Sequence, residues 1–215
     1  MPSTISDLRK EYTLNGLDTT DVSPNPIAQF KDWFDSALTA NVPEPNAMYV
    51  STVTSEGRPD GRIVLLKDVT DAGFVFYTNY ESRKGNELAA HPFATLTFFY
   101  QALERQIRIE GRVEKVSPEE SDAYFGSRPR GSQIGAWVSH QSSVIESRDV
   151  LEKRRQELET QFADQPVPRP PFWGGYRVIP DAIEFWQGRP SRLHDRIRYR
   201  RESPDQPWTL ERLAP

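Results

Sequence analysis

The chain has 215 residues, enough for one domain with a real core, or one domain plus tails. Charged residues make up 27% and the hydrophobic set only 36%, and no uninterrupted apolar run approaches the length of a membrane span. The absence of cysteine excludes a disulfide framework, a thiol catalyst, a cysteine metal site and a sulfur-attached cofactor, and a net charge of −4 argues against nonspecific nucleic-acid binding.

Residues 1–24 are polar and aperiodic and read as an arm, with a short helix at Arg9–Tyr12 as the alternative. The first seven residues lack the apolar stretch of a signal peptide, so cytoplasm is the expected compartment. Pro26 follows Asn25 as cap, and Ile27, Phe30, Phe34 and Leu38 recur at helical spacing, which predicts an amphipathic helix over 26–40. From Ala47 the period changes to that of strands: 48–54, 62–67, 74–78, 94–100 and 105–115 are predicted, joined by short Gly, Pro and Asp turns. Ser82 caps a predicted helix that runs to Ala90 and stops before Pro92. A helix is expected from Pro118 to Phe125, a Gly/Ser/Arg/Pro-rich loop at 126–133, and a charged helix from Arg148 to Phe162. Beyond a rigid linker, Pro166 to Pro171, come strand-like runs at 176–179, 182–186 and 193–200, with a last short strand near Trp208-Thr209-Leu210. Closely spaced strands with short turns predict a mainly β, antiparallel barrel or sandwich with flanking helices.

No phosphate-binding Gly-rich fingerprint and no nucleophile elbow is present, and three histidines far apart in sequence make a poor zinc site. Catalytic power would therefore come from a bound organic cofactor. Four groups of residues carry chemistry. Arg62 and Lys67 stand at the two ends of an apolar run, on opposite faces if the strand is regular. Tyr77-Thr78 precede Ser82-Arg83-Lys84 at a helix start, where free N–H groups and two cations suit a phosphate. Tyr124, Arg128 and Ser132 are three donors that meet at one phosphate if their loop folds back; Trp137 and Gln141-Ser142 follow closely. The fourth group is Glu184-Phe185-Trp186-Gln187-Gly188-Arg189-Pro190-Ser191-Arg192-Leu193-His194-Asp195-Arg196. If that segment is extended, Arg192, His194 and Arg196 project together, an imidazole between two guanidiniums. Taken singly, each group also reads as a solvated or capped turn, and Trp186 as a core aromatic. Together they suggest two phosphate sites with aromatic stacking surfaces.

In this order the segments resemble the pyridoxamine/pyridoxine 5′-phosphate oxidase family. The match is carried by Arg62–Lys67, Phe76–Asn79 with Ser82-Arg83-Lys84, Glu104-Arg105-Gln106, Tyr124 through Trp137, Gln141-Ser142, Phe172-Trp173-Gly174-Gly175, the arginine–histidine segment and the terminal Arg212-Leu213-Ala214-Pro215. The resemblance implies a split β-barrel over residues 25–215 and non-covalent FMN at the interface of a homodimer; from the cysteine and histidine counts no metal is expected. It places FMN contacts on Arg62, Ile63, Val64, Leu65, Leu66, Lys67, Tyr77, Thr78, Arg83, Lys84, Gln106, Gln141, Ser142, Trp186 and Arg196. It places the substrate phosphate on Lys67, Tyr124, Arg128 and Ser132, and Arg192, Leu193 and His194 beside the pyridine ring. Arg9, Lys10, Glu11 and Tyr12 match a mobile segment that covers the site.

The implied reaction removes a hydride from C4′ of pyridoxamine or pyridoxine 5′-phosphate to flavin N5, with O2 restoring the flavin. Arg192 then clamps the substrate ring, His194 orients or deprotonates the C4′ substituent, and Arg196 or Gln106 steadies charge on the reduced flavin. Tyr100 stands where many members have tryptophan. Asp18-Thr19-Thr20 stand where some carry basic residues, so a secondary anion site there is not implied. The alternatives are a non-catalytic FMN or pyridoxal-phosphate carrier, and an FMN split-barrel oxidoreductase with another substrate.

Overall fold

The computed structural model describes residues 4–215; residues 1–3 of the expected arm lie outside them. Helix α1 (Pro26–Thr39) begins as its cap dictates, with the Asn25 side chain accepting from Ile27 N at 2.8 Å and Ala28 N at 3.3 Å. Strands β1 (Ala47–Val53), β2 (Pro59–Leu65), β3 (Asp68–Thr70) and β4 (Gly73–Asn79) follow, then helix α2 (Arg83–Ala90). Strands β5 (Phe93–Tyr100) and β6 (Arg105–Lys115) precede helices α3 (Pro118–Ser127), α4 (Arg130–Val138) and α5 (Arg148–Gln161). Strands β7 (Trp173–Gln187), β8 (Asp195–Arg200) and β9 (Thr209–Leu213) complete the chain. Among the described residues nine strands make one sheet, in the order β2-β1-β5-β6-β7-β4-β3, with β8 pairing β7 and β9 pairing β8. No described helix is long and apolar enough to cross a membrane.

The chain forms two compact units. The first comprises residues up to Val50, Thr95–Gly111 and Pro180–Pro215; the second comprises Ser51–Ala94 and Arg112–Ile179. In the first, α1 lays its apolar face down: the Phe30 ring centroid is 5.2 Å from Phe98, and Trp33 meets Phe185 edge-on at 5.1 Å. Burying side chains of this size contributes about 1.5–3 kcal/mol each. In the second, β4 is buried on both faces through Phe74, Val75, Phe76 and Thr78. A further apolar cluster of Phe125, Ile134, Leu158, Phe162, Val167 and Trp173 holds α3, α4 and α5 together.

Four expectations are corrected. Part of the 126–133 loop is helix: α4 starts at Arg130, after Pro129 sets the entry. The two strands expected at 176–179 and 182–186 are one, β7, whose first half pairs antiparallel with β4 and whose second half pairs with β8. Pro180 falls at the changeover, where no ladder N–H is required. Arg9–Tyr12 is not helical; among the described residues of the arm a 3-10 turn forms at Ile5–Asp7. Finally, 193–200 is not extended throughout: Pro190–Arg192 is a 3-10 turn, with Ser191 at φ 56° and Arg192 at φ 63°. Strand β8 therefore begins only at Asp195.

Candidate active site

In the second unit, the end of β2, strand β4, the start of α2 and the α3–α4 corner enclose a cavity of about 670 Å³. Arg62, Lys67, Lys84 and Arg128 line it, and no carboxylate stands among its lining residues. Its aromatic wall is a stack: the Tyr77 and Tyr124 centroids are 3.9 Å apart at 18°, and Trp173 lies 5.5 Å from Tyr77. Burial, with Glu120 as a lesser contributor, pushes the Tyr77 phenol up to about 12, so this ring is neutral at physiological pH.

Lys84 and Arg128 are the informative cations. Ser82 caps α2, accepting from Gly85 N at 3.3 Å, and so turns Lys84 inward. Lys84 Nζ donates to Gln141 Oε1 at 2.6 Å, Thr78 Oγ1 at 3.0 Å and Ser82 Oγ at 3.3 Å, all neutral acceptors. Burial first, and the Arg62 charge second, bring its pKa down to about 8. Arg128 Nη1 is buried without a hydrogen-bond partner, while the guanidinium lies 4.6 Å from the Trp173 ring centroid. Burial lowers its pKa too. A buried, unspent guanidinium donor is costly unless an acceptor arrives from outside. The cavity therefore fits an anion with an attached planar group.

Arg62 and Arg83 are held differently. Arg62 Nη2 lies 2.6 Å from Asp60 and 3.1 Å from Glu87, and Arg83 Nε lies 2.9 Å and 3.0 Å from the same two side chains. Glu87 is buried and also accepts from Thr52 Oγ1 at 2.5 Å. The expected Arg83-Lys84 pair is thus divided. Arg83 faces a neighbouring cavity of about 650 Å³ with His140, Gln141 and Ser142, while Lys84 faces the cationic one; Gln141 lines both.

In the first unit the arm closes a smaller cavity of about 310 Å³, lined by Leu8 to Tyr12, Arg189, Arg192 and His194. His194 Nδ1 accepts from Arg189 N at 3.1 Å, and its ring centroid is 4.5 Å from Trp186. Tyr12 meets Trp186 edge-on at 5.8 Å.

The structure brings together Arg62 to Leu65, Lys67, Tyr77, Thr78, Lys84, Tyr124, Arg128, Ser132 and Gln141 in one cavity, and Arg9 to Tyr12, Arg192 and His194 in the other. The opposite-face expectation for Arg62 and Lys67 is corrected, because β2 ends at Leu65 and both line the same space. The joint projection of Arg192, His194 and Arg196 is corrected by the turn at 190–192. Arg196 lies outside that cavity, on β8, and donates to Glu184 at 2.8 and 3.0 Å and to Ala214 O at 2.9 Å. Gln106 is on β6, Leu66 is buried, and Leu193 is 68% exposed.

Two residues stand in segments that carry the resemblance but are given no role by the sequence. Trp173 walls the cationic cavity, and its Trp-Gly-Gly setting at a strand start was the available signal. Glu104, only 2% exposed, holds the arm; nothing in a Leu-Glu-Arg turn announces that.

The fold and the two cavities define a split-barrel protein with a cationic, aromatic-walled site. A solved structure described as a pyridoxamine 5′-phosphate oxidase-related, FMN binding protein from Nostoc punctiforme shares the fold, with a TM-score of 0.69 at 16% identity, covering 86% of this chain and 97% of that one. PhzG from Burkholderia lata, solved with tetrahydrophenazine-1-carboxylic acid, has a TM-score of 0.88 at 31% identity, covering 96% of this chain and all of that one. The family model described as Pyridoxamine 5′-phosphate oxidase matches residues 34–162, and that of the Pyridoxine 5′-phosphate oxidase C-terminal dimerisation region matches 173–215. Relatives named pyridoxine/pyridoxamine 5′-phosphate oxidase include one from Paraburkholderia phymatum, 62% identical over 99% of this chain and all of its own length. Another, from Gloeothece citriformis, is 60% identical over the whole of both chains. The chain belongs to the pyridoxine/pyridoxamine 5′-phosphate oxidase family.

Proposed function

We propose that the protein is an FMN-dependent oxidase that converts pyridoxamine 5′-phosphate or pyridoxine 5′-phosphate to pyridoxal 5′-phosphate. Family membership along the whole chain gives the activity. The observation that carries it to a site is the cavity with four cations and no lining carboxylate, with Arg128 Nη1 unspent. Lys84, Thr78 and Gln141 fit the phosphate of FMN, with Arg62 beside them; Lys67, Tyr124, Arg128 and Ser132 fit the phosphate of the substrate. When bound, FMN supplies a two-electron acceptor for the hydride leaving C4′, and O2 takes those electrons onward to give H2O2. With the amine substrate, water then releases ammonia, so that substrate, O2 and water balance product, ammonia and H2O2.

The chain's own residues position and polarise. Arg192 holds the pyridine ring, and His194 orients or deprotonates the C4′ substituent while Arg189 N fixes its Nδ1. Arg196 is kept charged by Glu184, which raises its pKa, and serves to steady negative charge on the cofactor. A homodimer with FMN at its interface completes the reading, and the C-terminal match at 173–215 supports the dimer.

The test is direct. Purified protein loaded with FMN is given pyridoxamine 5′-phosphate in air, and peroxide and aldehyde are followed, with unphosphorylated pyridoxamine as comparator. Stoichiometric peroxide from the phosphate ester, and little from pyridoxamine, is expected. Protein that takes up FMN but makes no peroxide is a carrier, and protein that cannot take up FMN sinks both readings.

A further inference from the structure

We infer that Glu104 is a positioning residue: its carboxylate latches the N-terminal arm over the cavity of Arg192 and His194. The inference rests on the function proposed above for that cavity.

Glu104 is 2% exposed and follows the 3-10 turn Gln101–Leu103 with φ 56° and ψ 38°. A left-handed glutamate is uncommon and strained, so the surroundings must hold it there. What they gain is an anion aimed at the arm. Oε2 accepts from Thr13 N at 2.9 Å and from Leu14 N at 3.1 Å, and Oε1 lies 3.4 Å from Lys10 Nζ. The same residue's carbonyl accepts from Gly188 N at 2.8 Å and from Gln187 Nε2 at 3.2 Å. One residue therefore ties the arm, by its side chain, to the end of β7, by its backbone.

The geometry on either side of the latch suits this role. Tyr12, the residue before the first latched N–H, lies on Trp186 and has its centroid 5.9 Å from His194. Gly188 leaves room for that ring, since a Cβ there would come within 2.6 Å of Tyr12 Cγ. Past the latch, Leu17 N donates to Asp195 Oδ2 at 3.0 Å, and Arg212 holds Leu17 O at 3.2 Å and Asp18 at 2.9 Å. The second tie fixes the root of the arm, and Glu104 fixes the part nearest the cavity. Release of residues 8–14 would leave the buried carboxylate without its two N–H donors and Lys10, which favours the docked arm. Docking excludes water from the Arg192–His194 cavity and holds the ligand's ring, so the latch acts on substrate retention.

Two variants of the FMN-loaded protein test this. Glu104→Gln keeps the shape and removes the charge. Thr13→Pro removes one N–H donor from the arm and leaves the buried carboxylate untouched, which covers the case in which the glutamine variant folds poorly. Tryptic scission after Arg9 or Lys10, followed by mass spectrometry, should be about tenfold faster in each variant than in the wild type. KM for pyridoxamine 5′-phosphate should rise about tenfold, with kcat and FMN content unchanged within about threefold. Scission at the wild-type rate in both variants overturns the latch, and so does faster scission with an unchanged KM. Wild-type protein that turns over neither B6 phosphate would count against the function itself, and the scission comparison, which needs no turnover, would still decide the latch.

Discussion

Lys84 shows how a single buried cation can make binding depend on pH. Its three acceptors are neutral, and burial brings its pKa down to about 8 from 10.5. A folded pKa below the unfolded one means that the unfolded chain binds more protons between pH 8 and 10.5. The folded protein without ligand is therefore penalised below about pH 8 and relieved as pH rises through that window. A bound phosphate reverses the preference by supplying the missing negative charge, so the ammonium is retained when the anion is present. FMN affinity, measured by quenching of flavin fluorescence, is then expected to weaken about tenfold between pH 7 and pH 9 in the wild type. Lys84→Met should bind more weakly at pH 7 and lose the pH dependence over that range. An unchanged pH profile in the methionine variant would assign the effect to another group. Sequence alone marks Ser82-Arg83-Lys84 as a phosphate signal, but it does not show that the two cations face different cavities, because that depends on Glu87 and Asp60 engaging Arg83 from the other side.

Helix α4 illustrates the element scale, where a local misreading and a functional role coincide. Periodicity and caps reveal α1, α2, α5 and most strands, because their apolar faces repeat and Asn25 and Ser82 announce their starts. Arg130–Val138 has no such signal: Gly131 and Gly135 are poor helix formers, and only Ile134 is fully buried. Tertiary ties hold it instead. Arg130 donates to the carbonyls of Phe162 and Gln165 at the end of α5, and Trp137 Nε1 donates to Pro168 O at 2.7 Å. Arg130 thus acts outside the cavity and sets the helix that presents Ser132, next to Arg128, to it. Arg130→Ala is expected to lower unfolding free energy by about 1 kcal/mol in denaturant titrations. It should also raise KM for the phosphate ester several-fold with FMN affinity unchanged, whereas a purely surface role would leave KM alone. The strand misreadings have equally local causes. Pro180 interrupts the pattern of β7 without interrupting the strand, and the Arg-Leu-His-Asp-Arg alternation imitates a strand although Pro190 and two left-handed residues bend it.

At the scale of the whole molecule, charge distribution matters more than net charge. The chain carries −4, yet four cations line one cavity without a carboxylate among them, while the acidic partners Asp60 and Glu87 sit behind Arg62 and Arg83. Segments from residue 62 to residue 173 contribute to that cavity, so sequence supplies its residue types and only the fold supplies their convergence. A cationic recess in an acidic molecule attracts small anions and discourages polyanions, and long-range attraction of this kind is screened by salt. The dianionic phosphate ester should therefore lose kcat/KM as ionic strength rises from about 0.02 to 0.5 M, roughly three- to tenfold. Unphosphorylated pyridoxamine, lacking the phosphate, should show little change over the same range. Stopped-flow reduction of the bound flavin without oxygen separates this encounter effect from the later oxidation step. Equal salt dependence for the two amines would mean that the recess does not guide the phosphate and that its four cations act only after contact. A steeper dependence for the ester places part of the selectivity before contact, in the field of the recess.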